Sequence, residues 1–169
     1  MILNSRIIGS SNKKIIILHG LLGSLDNWIT FGKKLSLQGY EVHLIDQRNH
    51  GKSFHSDEFS YNHMATDLKV YIDYHNIESA SIIGHSMGGK TAMLFSLIYP
   101  DYVNRLIVVD ILPIGYNKDY NLIFDSLSKA DLNRINSRSD FNLHLKKYFK
   151  EDSFILFLSK NLKRSNDGK

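Results

Sequence analysis

The sequence predicts an α/β fold, a mostly parallel sheet with helices on both faces, and three observations carry that prediction. Short apolar runs rich in β-branched residues recur at positions 15–18, 42–45, 81–83 and 106–109. A nearly continuous apolar run is how a strand buried on both faces reads. Helix-patterned segments separate the runs, which is βαβ order and hence a parallel sheet. Each run also stops close to a polar group, His19, Asp46, Ser86 or Asp110, and functional groups in such sheets gather beyond the carboxyl ends of the strands.

In chain order, residues 2–8 read as an edge strand ended by Gly9-Ser10-Ser11-Asn12. The run 15–18 leads into His19-Gly20-Leu21-Leu22-Gly23-Ser24. Ser24 or Asp26 is positioned to cap a helix reaching about Leu37, with Trp28, Phe31 and Leu35 on one face and Gly39 as its stop. The second buried strand, 42–45, ends in the polar turn Asp46-Gln47-Arg48-Asn49-His50-Gly51-Lys52-Ser53. Across 63–74, Met64, Leu68, Tyr71 and Ile72 recur at helical spacing. The run 81–83 then stops at Gly84-His85-Ser86-Met87-Gly88, and a helix carrying Ala92, Met93, Phe95, Leu97 and Ile98 follows until Tyr99-Pro100 closes it. A further buried strand is expected at 106–109.

After Pro113 the β-branched runs cease, and helix patterns appear at 122–127, 141–149 and 154–158. The division expected is a core over residues 1–115 and a helical cap over 116–169, whose polar end from Lys163 onward frays.

Composition bounds the function classes. Apolar residues make up 43% and charged residues 22%, the balance of a globular domain. With no cysteine there is no disulfide and no thiol nucleophile, and a reducing cytoplasm is the expected location. The net charge of +4 is scattered, the densest basic cluster being Lys160, Lys163 and Arg164. No nucleic-acid partner is expected from it. Met1-Ile2-Leu3 leads straight to polar residues, so no signal peptide is expected, and no apolar run approaches a membrane span.

The chemistry concentrates at the Gly-x-Ser-x-Gly. A serine forced into a strand-to-helix turn takes a strained backbone, and flanking glycines let strand and helix approach without Cβ clashes. Ser86 is thereby lifted clear of both elements. The helix beginning near Met87 aims unpaired N–H groups at the place where an oxyanion would form. The plainer alternative is a glycine-rich turn whose serine only caps the helix.

Together, His19-Gly20-Leu21-Leu22-Gly23-Ser24, the turn from Asp46 to Ser53, Gly84-His85-Ser86-Met87-Gly88-Gly89-Lys90-Thr91-Ala92-Met93 and Val109-Asp110-Ile111 resemble the α/β-hydrolase superfamily. The likeness is strongest to its small bacterial and mitochondrial branch acting on acyl esters and acyl-thioesters. By that resemblance Ser86 is the nucleophile, and Asp110 is the acid that some members carry at this strand end. The backbone N–H groups of Met87 and Leu21, or of Leu22 in place of Leu21, form the oxyanion hole. His19 and His85 line the substrate pocket. The Asp46/Arg48/His50/Ser53 turn reads as a hydrogen-bonded loop brace. The resemblance implies no cofactor and no metal, and a small-molecule acyl ester or thioester as partner.

The chain departs from the pattern in one respect. In the superfamily the triad runs Ser, then Asp or Glu, then His on a loop after the last strand. None of the eight histidines here sits at that place. The C-terminal strands are expected to be missing, leaving a sheet edge bare, with a truncated enzyme or a split protein completed by a C-terminal chain as the expectation. A lyase, a carbon–carbon hydrolase or a perhydrolase on the same scaffold, or a non-catalytic remnant, are the competing readings.

Overall fold

The computed structural model describes residues 1–115 and 119–163. Its first elements are β1 (Ser5–Ile8), β2 (Lys14–Leu18), α1 (Ile29–Ser36), β3 (Glu41–Ile45), α2 (Tyr61–Tyr74), β4 (Ala80–His85), α3 (Met87–Ile98) and β5 (Val103–Val109). Three helices follow, α4 (Asn121–Ser128), α5 (Arg138–Leu145) and α6 (Asp152–Ser159). The polar tail from Arg164 onward and Tyr116, where the cap was expected to begin, lie outside the described residues. The chain divides into two compact units, Met1–Ile114 and Gly115–Lys169.

In the first unit the five strands order as β1-β3-β2-β4-β5. β1 runs antiparallel to β3, while β3, β2, β4 and β5 are mutually parallel. The pleat sends alternate residues to opposite faces. Ile16, Leu18, Ile45 and Ile82 pack with Ala65, Leu68, Tyr71 and Ile72 of α2 and with Ala92 and Phe95 of α3. On the other face Ile15, Ile17, Val42, Leu44 and Ile83 gather Leu25, with Trp28, Ile29 and Leu35 packed against them. Helices therefore cover both faces, as parallel strands require.

Two expectations change. Phe31 is exposed, and it is Gly32 that packs inward, its backbone close to Leu44, because a 3-10 turn over Leu25–Trp28 precedes α1 and rotates its face. The last strand was expected to be buried on its faces with its outer edge left bare, and Leu106 is 39% and Ile107 45% exposed. β5 pairs with β4 alone among the described strands. An edge strand of this composition keeps a row of unpaired backbone groups and half-covered apolar side chains.

The second unit consists of α4, α5 and α6. Ser137 caps α5 by accepting from Asp140 N–H, and the Asp140 carboxylate accepts from the Ser137 N–H in return. His144 on α5 donates to the Ser126 carbonyl at 2.7 Å, tying α5 to α4. Among the described residues no helix is long and apolar enough to cross a membrane.

The contrast between core and edge gives a direct test. Phe95→Ala is expected to lower stability by about 3–5 kcal/mol, and Leu106→Ala by about 1 kcal/mol or less. Urea midpoints at unchanged slope read both. Equal losses would mean that β5 is covered in solution.

Candidate active site

The centre of the site is the turn between β4 and α3. Two side-chain-free positions bring those elements together. A Cβ on Gly84 would lie 2.4 Å from the Gly88 carbonyl oxygen, and one on Gly88 would lie 2.5 Å from that of Leu18. With no room for a wider loop, one residue must reverse the chain, and Ser86 takes φ 50° and ψ −115° to do so. That is a conformation costly to a residue with a Cβ. It is pinned from both sides: the Ser86 N–H donates to Val109 O on β5 at 3.0 Å, and the Ser86 carbonyl accepts from Lys90 N–H at 3.1 Å. Met87 is the first residue of α3, so its N–H has no acceptor within the helix. Among the described residues the Ser86 hydroxyl has no hydrogen-bond partner.

Beside the turn lies the loop that follows β2. A Cβ on Gly20 would sit 2.8 Å from Nδ1 of His85 and 3.3 Å from Cβ of Ser86, so loop and turn are in contact. The loop is a tight reversal, with Gly23 N–H donating to Gly20 O at 3.0 Å and Leu22 at φ 59°. Leu22 N–H donates to Nε2 of His50 at 3.1 Å. Leu21 N–H, in contrast, has no partner among the described residues.

The turn after β3 holds that loop in place. The Asp46 carboxylate accepts from Leu25 N–H at 2.8 Å, from Lys52 N–H at 2.9 Å and from the Asn4 side-chain amide at 2.7 Å. Ser53 Oγ donates to Asp46 O at 2.6 Å. Arg48 grips both oxygens of Asp67 on α2, at 2.6 and 2.8 Å, and donates to Glu58 O. Asp46, Arg48 and Ser53 thus knit the residue before β1, the loop after β2 and α2 into one frame.

Two buried histidines complete it. The Nδ1–H of His19 donates to Gly20 O at 2.8 Å, and its Nε2 accepts from Gln47 N–H at 3.1 Å. His50 repeats the pattern, its Nδ1–H donating to Arg48 O at 2.9 Å while Nε2 accepts from Leu22 N–H. A ring nitrogen that accepts must be unprotonated, so both imidazoles are neutral, and the carbonyl partners fix the tautomer. Burial, the largest influence on each, agrees: it pushes His19 down to about 4 and His50 below the ordinary histidine value. His19, expected to meet the substrate, is 1% exposed with both ring nitrogens bonded to backbone. Its place is underneath the loop, because the peptide groups of the turn after β3 close over it.

His85 is half-buried, with Trp28 packed 6.2 Å away ring to ring. Its Nε2 lies 3.8 Å from a carboxylate oxygen of Asp110, whose side chain is 87% exposed just past β5. Ser86, His85, Asp110 and the Leu21 backbone therefore converge at the carboxyl ends of β2, β4 and β5. Among the described residues no three His, Cys, Asp or Glu side chains are grouped to hold a metal ion.

Comparison with known proteins bears on the origin of this arrangement. A model of the alpha/beta hydrolase fold matches residues 13–166. The chain belongs to the α/β hydrolase family. Among its relatives, Esterase YbfF of Escherichia coli is 32% identical over 152 residues, covering 89% of this chain and 59% of that protein. A protein described as the sn-1-specific diacylglycerol lipase ABHD11 of Danio rerio is 37% identical over 159 residues, 90% of this chain and 50% of its own. A solved structure described as a marine microorganism esterase is 43% identical, with TM-score 0.95 over 99% of this chain and 66% of that one. The chain thus spans about half to three fifths of the length of these curated relatives.

The motifs located Ser86, Met87, Asp110 and the loop after β2 in this α/β hydrolase, but not the partners that hold them. Asn4 and Asp67 stand outside the motifs and Gln47 inside one with no role of its own, because each acts through hydrogen bonds formed only after long-range folding.

The neutral histidines make stability depend on pH in a defined direction. Between 6.5 and about 4 the unfolded chain binds a proton at His19 that the folded chain does not, so stability is complete above 6.5 and falls as pH falls. His19 alone accounts for about 3 kcal/mol of that loss. Urea unfolding at pH 7.5 and 4.5 is expected to show it, with a smaller drop in His19→Gln. An equal drop in the variant would assign the loss elsewhere.

Proposed function

We propose that this α/β hydrolase carries the nucleophile, acid and oxyanion hole of a serine hydrolase acting on acyl esters or acyl-thioesters. The observation that supports it best is Ser86 at φ 50°, raised at the start of α3 beside the loop that carries Leu21, whose N–H has no partner among the described residues. Ser86 Oγ attacks the acyl carbonyl and its proton passes to a base. The developing oxyanion is held by the N–H groups of Met87 and Leu21, where charge is stabilised far better than in water. Leu22 is excluded as the second donor, since its N–H is spent on His50. Collapse expels the alcohol or thiol, and water then hydrolyses the acyl-enzyme by the same route. The names of the Escherichia coli esterase and the Danio rerio lipase support an ester as substrate.

The base is the open position. Serine is a weak nucleophile unless its proton is taken. Among the described residues no histidine nitrogen is hydrogen bonded to Ser86. Our reading assigns the base to a histidine on a segment that pairs with the bare edge of β5, in the same polypeptide or a second one. Asp110, beyond that edge, is positioned to orient it. The same bare apolar edge favours a second reading, in which the chain alone is a non-catalytic half that needs its partner. A cytoplasmic setting belongs to either reading.

Hydrolysis of p-nitrophenyl butyrate separates the two. This chain alone is expected to fall short of the chain completed by such a segment by about four to six orders of magnitude. Ser86→Ala is expected to abolish turnover in the completed form, together with covalent capture by a fluorophosphonate. Capture that survives in Ser86→Ala would overturn the assignment. Turnover by this chain alone, lost in His85→Gln, would move the base to the histidine already facing Asp110.

A further inference from the structure

His50 is 8% exposed and makes no use of its ring chemistry in the proposed reaction, yet both of its nitrogens are committed to backbone. One of those partners is the residue next to the proposed oxyanion donor. We infer that His50 is a positioning residue that holds the oxyanion loop in its competent form only while its imidazole is neutral. This rests on the reading that Leu21 and Met87 supply the hole.

Leu22 sits at φ 59°, a conformation that a branched L-residue leaves unless something holds it. Its N–H belongs to the peptide joining Leu21 to Leu22, so the bond to His50 Nε2 fixes the plane of that peptide. Fixing that plane sets the backbone of Leu21, and with it the direction of the Leu21 N–H. On the far side of the ring, the Arg48 carbonyl accepts from Nδ1–H, which leaves Nε2 as the acceptor. Protonation at Nε2 turns it into a donor facing another donor. The contact that holds Leu22 then becomes repulsive, and the loop is released.

The surroundings decide where this occurs. Within its own turn His50 faces the Asp46 carboxylate, which favours the proton, and His55, which opposes it. From the loop after β2 the His19 ring lies 5.1 Å away, and Phe59 contributes an apolar ring at 6.2 Å. The Arg48 guanidinium is turned away onto Asp67 and Glu58 O. Burial outweighs Asp46, so uptake lies on the acid side of the ordinary histidine value of 6.5. Activity that depends on the hole is therefore full near neutrality and lost as pH falls through the His50 transition. The loss appears in kcat more than in KM, because the hole acts on the transition state.

Two measurements test this, one of them independent of turnover. In Ser86→Ala, long-range nitrogen-proton NMR is expected to show His50 with its proton on Nδ1. The Leu22 amide should then shift with pH on the same curve as the His50 ring. A Leu22 amide indifferent to the His50 transition overturns the inference. In the second measurement, the rate of Ser86 capture by a fluorophosphonate is followed from pH 4.5 to 8 in the completed enzyme. His50→Gln keeps an acceptor oxygen at the reach of Nε2 but does not titrate, and is expected to retain the neutral rate within about tenfold and to lose the His50 acid limb. His50→Leu removes the acceptor and is expected to lose about 100-fold, the loss typical of one oxyanion donor. An unchanged acid limb in His50→Gln, or a wild-type rate in His50→Leu, counts against it. If the wild type is never captured, the serine-hydrolase reading fails, while the NMR titration still decides the coupling of His50 to the loop.

Discussion

Everything at the carboxyl end of this sheet depends on how closely α3 approaches β4 and β2. The approach is permitted by Gly84 and Gly88, whose missing side chains would collide with backbone 2.4 and 2.5 Å away. Closing that distance leaves Ser86 no ordinary conformation, and the chain reverses through φ 50°. The strain is held by hydrogen bonds to β5 and to the first turn of α3, so the hydroxyl is presented rather than buried. The same closeness puts the Met87 N–H and the loop after β2 around one small volume. The proposed nucleophile and the proposed hole thus rest on a single steric constraint.

A site built on loops needs those loops fixed, and here polar groups buried between them do the fixing. Asp46 ties three separate segments with one carboxylate, and Arg48 anchors the turn to α2 through Asp67. His19 and His50 act as neutral connectors, each donating at Nδ1 and accepting at Nε2. Buried polar connections of this kind are rigid, since any displaced member leaves an unpaired polar group. The price is a fold sensitive to acid, because a connector that must accept ceases to do so once protonated.

The strands at 15–18, 42–45 and 81–83 were legible because continuous apolar runs report burial on both faces, and the turn at Ser86 because glycine spacing reports close approach. The strand at 106–109 has the same apolar signature yet lies at the edge of the sheet among the described residues. Hydrophobicity records what a strand is built to pack against and says nothing of whether the neighbour is present. Phe31 was misassigned for a local reason, the 3-10 turn that shifts the phase of α1. His19 sits beside a motif that resembles a pocket, and only tertiary folding reveals that its ring turns inward. The choice between Leu21 and Leu22 was likewise invisible in sequence. It depends on His50, which lies 28 residues further along the chain.

The central claim is that Ser86 and two backbone N–H groups share one reacting position. A crystal structure of the fluorophosphonate adduct of the completed enzyme tests it most directly. The account predicts phosphorus on Ser86 Oγ, with its phosphoryl oxygen about 2.7–3.1 Å from both the Leu21 and Met87 nitrogens. An oxygen turned to solvent or toward Leu22, or phosphorus on any other side chain, would contradict it.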